Sequence, residues 1–156
     1  MPRCVVVAED HEAMRDILVR LLSRECDVVE AVADGESAVA AAARLDPDLL
    51  VLDIAMPGMN GIAAATQIKA SGSHAKVVFA TNLHDRDFVD RSLTLGTVGY
   101  IVKTRLVADL FPAIREVLAG HSFISPTVRW WSMQNSKCKM QTEEPQFQCR
   151  SLGFTI

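Results

Sequence analysis

Polar side chains of particular types follow or end several short apolar stretches of this chain. They are Glu9 and Asp10, Asp53, Thr81 and Lys103. Carboxylates crowded together repel each other, so three of them at one place favour a bound divalent cation. Oxygen-only ligands of this number suit Mg²⁺. A carboxylate beside a cation, a lysine and a hydroxyl is also a nucleophile suited to phosphorus, and the expected product is an aspartyl phosphate on Asp53.

Each of these residues also has an ordinary structural interpretation. Glu9 and Asp10 can cap a following helix, because acids favour a helix N-terminus. Asp53 can be a strand-end loop residue, Thr81 a strand residue with a satisfied hydroxyl, and Lys103 a solvated surface cation. Taken singly, the ordinary interpretation is favoured for each residue. Taken together, three carboxylates, a hydroxyl and an ammonium at one edge of a sheet favour the chemical one.

The elements that must position these residues are visible as apolar stretches alternating with helical ones. Five stretches predict strands: Cys4–Ala8, Val28–Ala31, Leu49–Leu52, Val77–Thr81 and Tyr100–Val102. Most are continuously apolar, which is typical of strands buried on both faces of a parallel sheet. Such α/β sheets bind ligands beyond the carboxyl ends of their strands.

Helical patterns lie between and after the strands. The first is predicted from one apolar stripe, made of Met14, Ile17, Leu18, Leu21 and Leu22. The others are predicted at Glu36–Leu45, Ile62–Ala70, Asp85–Leu95 and Leu106–Ala119, the second starting at the Asp34-Gly35 turn. Repeated strand–helix alternation predicts a doubly wound α/β fold with a five-stranded parallel sheet.

Composition restricts the class of protein. The 156 residues include 49% hydrophobic and 22% charged residues, the balance of a soluble globular core, and suffice for one domain and a tail. No apolar run is long enough to cross a bilayer, and Glu9-Asp10 come too early for a signal peptide. The spacing of the four cysteines argues against a zinc site and against a disulfide framework, and this suits a reducing cytoplasm. The net charge of −3 gives no electrostatic reason to propose nucleic-acid binding.

The motifs together resemble the receiver domain of two-component response regulators. The resemblance is carried by Glu9-Asp10, the stretch from Asp53 to Gly61, Thr81, and Gly99 to Lys103, and it covers roughly residues 3–120. It implies a flavodoxin-like (βα)5 fold with strand order 2-1-3-4-5. It also implies a receiver domain over residues 1–120, followed by a connector over 121–128.

The resemblance assigns a role to each motif residue. Glu9 and Asp10 become the acidic pair that serves Mg²⁺, and Asp53 the phosphoacceptor and a third metal ligand. Ala55 is expected to offer the metal only its backbone carbonyl. Thr81 becomes the switch hydroxyl and Lys103 the phosphoryl-binding lysine. Tyr100 becomes the switch aromatic, for which the alternative interpretation is a half-buried aromatic on an edge strand.

The chain also departs from the family pattern. Thr104 follows Lys103 where many receivers have proline, and with the connector this is similar to the NarL/FixJ-type subgroup. That subgroup carries a C-terminal helix-turn-helix, yet residues 129–156 show neither its length nor its periodicity. We expect this atypical tail to be poorly ordered or loosely docked. The sequence leaves open whether it is native, truncated or altered.

Three functions are compatible with these motifs to different degrees. The first is a cytoplasmic signalling switch that receives its phosphoryl group from a histidine kinase. It changes its helix 4–strand 5–helix 5 face to control transcription or a partner, and it can form a homodimer on phosphorylation. The second is an aspartate-nucleophile phosphohydrolase, disfavoured because Ala55 stands where such enzymes have a second Asp. The third is DNA binding through the tail, which we expect only if a missing C-terminal domain is present in the native protein.

Overall fold

A parallel sheet places the polar residues along one edge of the molecule. The structure, a computed structural model, describes residues 3–82 and 86–126. Its strands are β1 (Arg3–Ala8), β2 (Cys26–Val32), β3 (Leu49–Leu52), β4 (Lys76–Thr81), β5 (Val98–Val102) and β6 (Phe123–Ile124). Its helices are α1 (Glu12–Leu22), α2 (Gly35–Leu45), α3 (Gly61–Ala70), α4 (Arg86–Leu93) and α5 (Leu106–Leu118), with a short 3₁₀ turn at Lys103–Arg105.

The strands lie in the order β2-β1-β3-β4-β5-β6, and every neighbouring pair is parallel. The predicted order 2-1-3-4-5 is therefore confirmed. The predicted strand number is wrong by one, because β6 pairs with β5 beyond the fifth strand. β6 has only two residues between serines, so it is too short to show the apolar run or the alternation from which a strand is predicted.

Burial follows position in the sheet. β3 and β5 are buried throughout, as expected of strands covered by helices on both faces. β2 alternates between partly buried and exposed residues because it forms one edge of the sheet. The two faces carry separate apolar layers, one packed against α2, α3 and α4 and the other against α1 and α5.

Local sequence signals explain several helix boundaries. Asp34 caps α2 by accepting a hydrogen bond of 2.7 Å from the Ser37 amide, which confirms the predicted turn. Asn60 does the same for α3 through the Ala63 amide. The predicted stripe of α1 was too wide, because Leu18 and Leu22 are buried while Ile17 is 42% exposed.

Some predictions fall outside the described residues. These are the tail over 129–156, the last two residues of the connector, and Asp85 at the predicted start of the fourth helix. The described part of the connector holds β6 and a buried Ser125. Within residues 3–82 and 86–126, no helix combines the length and apolar character needed to span a bilayer.

Candidate functional site

Four neighbouring strands, β1, β3, β4 and β5, bring the candidate residues to the carboxyl edge of the sheet. Asp53 follows β3, and its amide donates to the Ala8 carbonyl oxygen at the end of β1 at 3.0 Å. Thr81 ends β4 and is paired in register with Val102 on β5. Glu9, Asp53 and Thr81 are all buried. The sheet therefore places them where ligands bind in open α/β folds.

Lys103 links two of the carboxylates. Its Nζ atom lies 3.1 Å from Asp53 Oδ2, to which it donates a hydrogen bond, and 2.7 Å from Glu9 Oε1. Its side chain is only 8% exposed, so the interpretation of Lys103 as a solvated surface cation is wrong. The ammonium instead acts as an internal counter-ion at the end of the sheet.

The electrostatics of this group follow from burial. Burial raises the pKa of the Glu9 carboxyl, Lys103 lowers it, and the nearby Asp53 charge raises it again, with a net upward shift. For Lys103, burial lowers the pKa, but the contacts with Glu9 and Asp53 outweigh it and hold the pKa above its ordinary value. The ammonium is thus firmly charged, whereas ionised Glu9 carries a cost.

Glu9 and Asp10 offer oxygen atoms suited to a cation. Glu9 Oε1 is buried and, despite its close ion pair with Lys103, has no hydrogen-bond donor aligned with it within the described chain. Carboxylate oxygens of Glu9 and Asp10 and an imidazole nitrogen of His11 lie within 4.8 Å of one another. Three carboxylates and one ammonium leave an excess of two negative charges when all are ionised. The donor set therefore fits a divalent cation such as Mg²⁺.

The acidic pair does not serve as a helix cap. Helix α1 begins after His11, which makes no side-chain capping hydrogen bond. Glu9 is fully buried and faces Lys103, while its Oε2 accepts from the His11 amide at 3.2 Å. Asp10 is partly exposed, with 31% of its side chain accessible. The chemical interpretation of this pair is favoured over the structural one.

Tyr100 lies inside the fold. The ring is completely buried and contacts Phe79 with a centroid separation of 6.5 Å. The alternative interpretation, a half-buried aromatic on an edge strand, is wrong because β6 covers β5. The side chain lies with the apolar layer on the α4 side of the sheet.

Two residues to which the sequence analysis assigned no role hold this edge in shape. Arg15 of α1 donates from Nη1 to the Glu9 carbonyl oxygen at 2.8 Å. At Gly61, a Cβ atom would stand 2.1 Å from the Asp53 carbonyl oxygen, so the loop can fold back only over a glycine. Ala55, within this loop, is exposed. Gly61 could have been found from its place before a helical pattern, whereas the Arg15 contact has no sequence signal.

Comparison with known protein families identifies the family of this chain. The profile of the response regulator receiver domain matches residues 5–115. The chain belongs to this family. The match includes all the strand ends described above, so the receiver fold and its two-component signalling context are established for this chain.

Two curated relatives illustrate the family. The receiver is 39% identical over 115 residues to the transcriptional regulatory protein PdtaR of Mycobacterium tuberculosis, a match that covers 73% of this chain and 56% of that protein. It is 36% identical over 126 residues to the response regulator protein VraR of Staphylococcus aureus, covering 80% and 60% respectively. The receiver thus spans only a little over half the length of either relative.

A solved structure shows the same fold. The crystal structure of a LuxR-family two-component response regulator from Aurantimonas sp. SI85-9A1 aligns with a TM-score of 0.81 at 27% identity. The alignment covers 86% of this chain and 98% of the other. The fold predicted from the sequence is therefore that of a solved response regulator.

Proposed function

We propose that this receiver accepts a phosphoryl group on Asp53 from a histidine kinase and thereby switches its α4–β5–α5 face. The observation that supports this most directly is the placement of Lys103, whose ammonium lies 3.1 Å from Asp53 Oδ2 and is held there by buried Glu9. An ammonium fixed at this position neutralises charge on a phosphoryl group bonded to the same carboxylate.

The transfer conserves atoms and charge as follows. A carboxylate oxygen of Asp53 attacks the phosphorus of a phosphohistidine, so a P–O bond forms as the P–N bond breaks. The imidazole leaves with the electron pair of that bond and takes up a proton. Lys103 donates to an equatorial oxygen of the transferred group, and the Thr81 hydroxyl, one strand away, is the proposed donor to another. Hydrolysis later returns the carboxylate and releases phosphate.

The cation belongs to the same proposal. Glu9, Asp10 and Asp53 would hold Mg²⁺, together with the backbone carbonyl of Ala55. When bound, the ion supplies positive charge that offsets repulsion between the carboxylates and the incoming phosphoryl group. The receiver is then a switch that catalyses its own phosphorylation and dephosphorylation, rather than an enzyme that turns over external esters.

The output is proposed from the chain's position in the family. Thr81 and Tyr100 would couple the state of Asp53 to the α4–β5–α5 face. The partner reached through that face is proposed to be a second copy of the chain or a protein that controls transcription, within the cytoplasm. DNA binding is proposed only if the native protein carries a further C-terminal domain; the chain spans 56% of PdtaR and 60% of VraR.

Intact mass spectrometry tests the phosphoacceptor. Incubation with Mg²⁺ and acetyl phosphate should add the mass of one phosphoryl group, and EDTA should prevent the addition. Asp53→Asn should remove the gain while keeping the fold, whereas Asp16→Asn, on the exposed side of α1, should behave like the unaltered chain. An unchanged mass gain in Asp53→Asn would move the site to another residue.

A further inference from the structure

Two serine hydroxyls help to attach the connector to β5. β6 pairs with β5 over only Gly99–Phe123 and Tyr100–Ile124. On either side of this short pairing a serine Oγ accepts from a β5 amide at 3.1 Å: Ser122 from Val98 and Ser125 from Val102. The two serines are thus chemically matched, but they stand at opposite ends of β5.

Only the contact at Ser125 continues into a buried network. Ser125 Oγ donates to Asp109 Oδ2 of α5 at 2.7 Å, and its amide donates to the Tyr100 carbonyl oxygen at 2.8 Å. The buried Asp109 carboxylate also accepts two hydrogen bonds from Arg105, at 2.9 and 3.1 Å. The Ser125 hydroxyl thus adds a third hydrogen bond to a buried carboxylate that Arg105 already pairs, and this bond ties the connector to α5.

Val102 connects this network to the phosphorylation site. It is paired with Thr81 on β4, precedes Lys103 in the chain, and donates its amide to Ser125. The proposed switch hydroxyl and the phosphoryl-binding lysine therefore both border the residue to which the connector is tied. Ser122 has no such neighbours, because Val98 lies at the other end of the strand.

We propose that Ser125 is the positioning residue that couples the phosphorylation site to the connector, through Val102 on one side and Asp109 on the other. The inference rests on the proposed function. Any shift of Lys103 or Thr81 toward a phosphoryl group moves the end of β5, and this displaces the hydroxyl that fixes the connector to α5. By linkage, the docked connector in turn changes the affinity of the site for the phosphoryl group.

Amide hydrogen exchange in the full chain tests this coupling, with Mg²⁺ and beryllofluoride as the phosphoryl mimic. In the unaltered chain we expect the mimic to change the exchange rate of the residue-125 amide about fivefold or more, the lower end of typical coupling between sites. In Ser125→Ala this change should vanish, although the residue-125 amide remains available to the Tyr100 carbonyl. In the matched control Ser122→Ala the full change should persist.

The affinity of the site provides a second readout that a merely structural role would not move. Ser125→Ala should alter the apparent affinity for beryllofluoride by about the same factor as the lost exchange effect, while Ser122→Ala leaves it unchanged. If Ser125→Ala does not fold, Asp109→Asn keeps the size of the side chain and weakens the same contact, and it should reduce both effects.

The outcomes separate the two proposals. If the mimic shifts the NMR signals of the Thr81 and Lys103 amides but leaves exchange at residue 125 unchanged, the coupling is wrong and the phosphoacceptor function stands. Retention of the full effect in Ser125→Ala also overturns the coupling. If Mg²⁺ and beryllofluoride produce no shift in the unaltered chain, the proposed function fails and the coupling fails with it.

Discussion

At the scale of single residues, the buried Lys103 side chain gives the most direct prediction for protein stability. It neutralises Glu9 and Asp53, and removing one partner of a buried ion pair leaves an uncompensated charge. We expect Lys103→Met to lower the free energy of unfolding by about 3 kcal/mol at neutral pH. Urea unfolding of the metal-free protein measures this loss.

Lys69→Met is the matched control for that experiment. Burial and then the nearby Lys76 lower the pKa of Lys69, so its charge is disfavoured and its removal should leave stability level or slightly higher. Added Mg²⁺ should recover more stability in Lys103→Met than in the unaltered chain, because the site then has a larger negative excess. Equal destabilisation by both substitutions would show that Lys103 is not a specific counter-ion.

Glu9 predicts a pH dependence of stability in the metal-free protein. Burial, opposed by Lys103 and supported by Asp53, raises its pKa in the fold. The folded chain therefore binds the Glu9 proton more tightly than the unfolded chain does. This contribution to stability is fully present below the ordinary glutamate pKa and is lost as the pH rises through the raised value.

Comparison of variants isolates that contribution. As the pH rises from the ordinary glutamate pKa through the raised pKa of Glu9, the unaltered chain should lose stability relative to Glu9→Gln. Saturating Mg²⁺ should reduce or reverse this loss. Glu25→Gln, in the exposed turn between α1 and β2, removes a carboxylate away from the site and serves as the baseline for this comparison. A stability difference that favours ionised Glu9 more strongly as the pH rises would contradict the burial argument.

The sequence indicated which residues converge, but not their pairing. Runs of apolar residues predict that Asp53 and Lys103 lie at the ends of parallel strands, and this can be inferred from the sequence alone. The contact of Lys103 with Glu9 depends on side-chain direction and on burial, which the spacing of motifs does not contain. The assignment of Glu9 to Mg²⁺ remains a prediction.

At the scale of elements, the loop between β3 and α3 depends on one glycine. A Cβ atom at residue 61 would overlap the Asp53 carbonyl oxygen, which is backbone and cannot rotate away. We expect Gly61→Ala to cost about 1–3 kcal/mol of stability through overpacking and to slow phosphorylation at Asp53. Thermal unfolding and the rate of mass gain with acetyl phosphate check both effects.

Ala63→Gly provides the comparison within the same helix. It weakens α3 by about 1 kcal/mol through helix propensity, without placing an atom against the loop. Phosphorylation in this variant should therefore proceed as in the unaltered chain. If both substitutions slow the reaction equally, the effect comes from loss of helix stability and not from displacement of Asp53.

Elements differ in how far the sequence specifies them. A continuous apolar run such as Leu49–Leu52 is typical of a strand buried on both faces, and β3 was predicted with its observed bounds. β6 could not be predicted in this way, since its attachment uses serine hydroxyls and a contact with Asp109, 16 residues away from Ser125. Edge position also explains why β2 is more exposed than its apolar residues suggest.

At the scale of the whole molecule, the connector strand β6 bears on where the receiver domain ends. The family match stops at residue 115, yet the chain up to Ser125 covers β5 and donates a hydrogen bond to the buried Asp109. The receiver of this chain therefore includes the connector strand as part of its packing. Two shortened chains, residues 1–128 and residues 1–121, separate this view from one in which the fold ends at Gly120.

We expect the chain of residues 1–128 to fold, bind Mg²⁺ and accept phosphate much as the full chain does. In the chain of residues 1–121, the Val98 and Val102 amides and the Asp109 carboxylate lose their serine partners, and we expect the free energy of unfolding to fall by about 1–3 kcal/mol in all. β5 also becomes an uncovered edge strand, which favours self-association. Urea unfolding and size-exclusion chromatography should show the shorter chain to be less stable and more associated. Equal stability of the two chains would make β6 dispensable, whereas a 1–128 chain as unstable as 1–121 would place residues 129–156 within the fold.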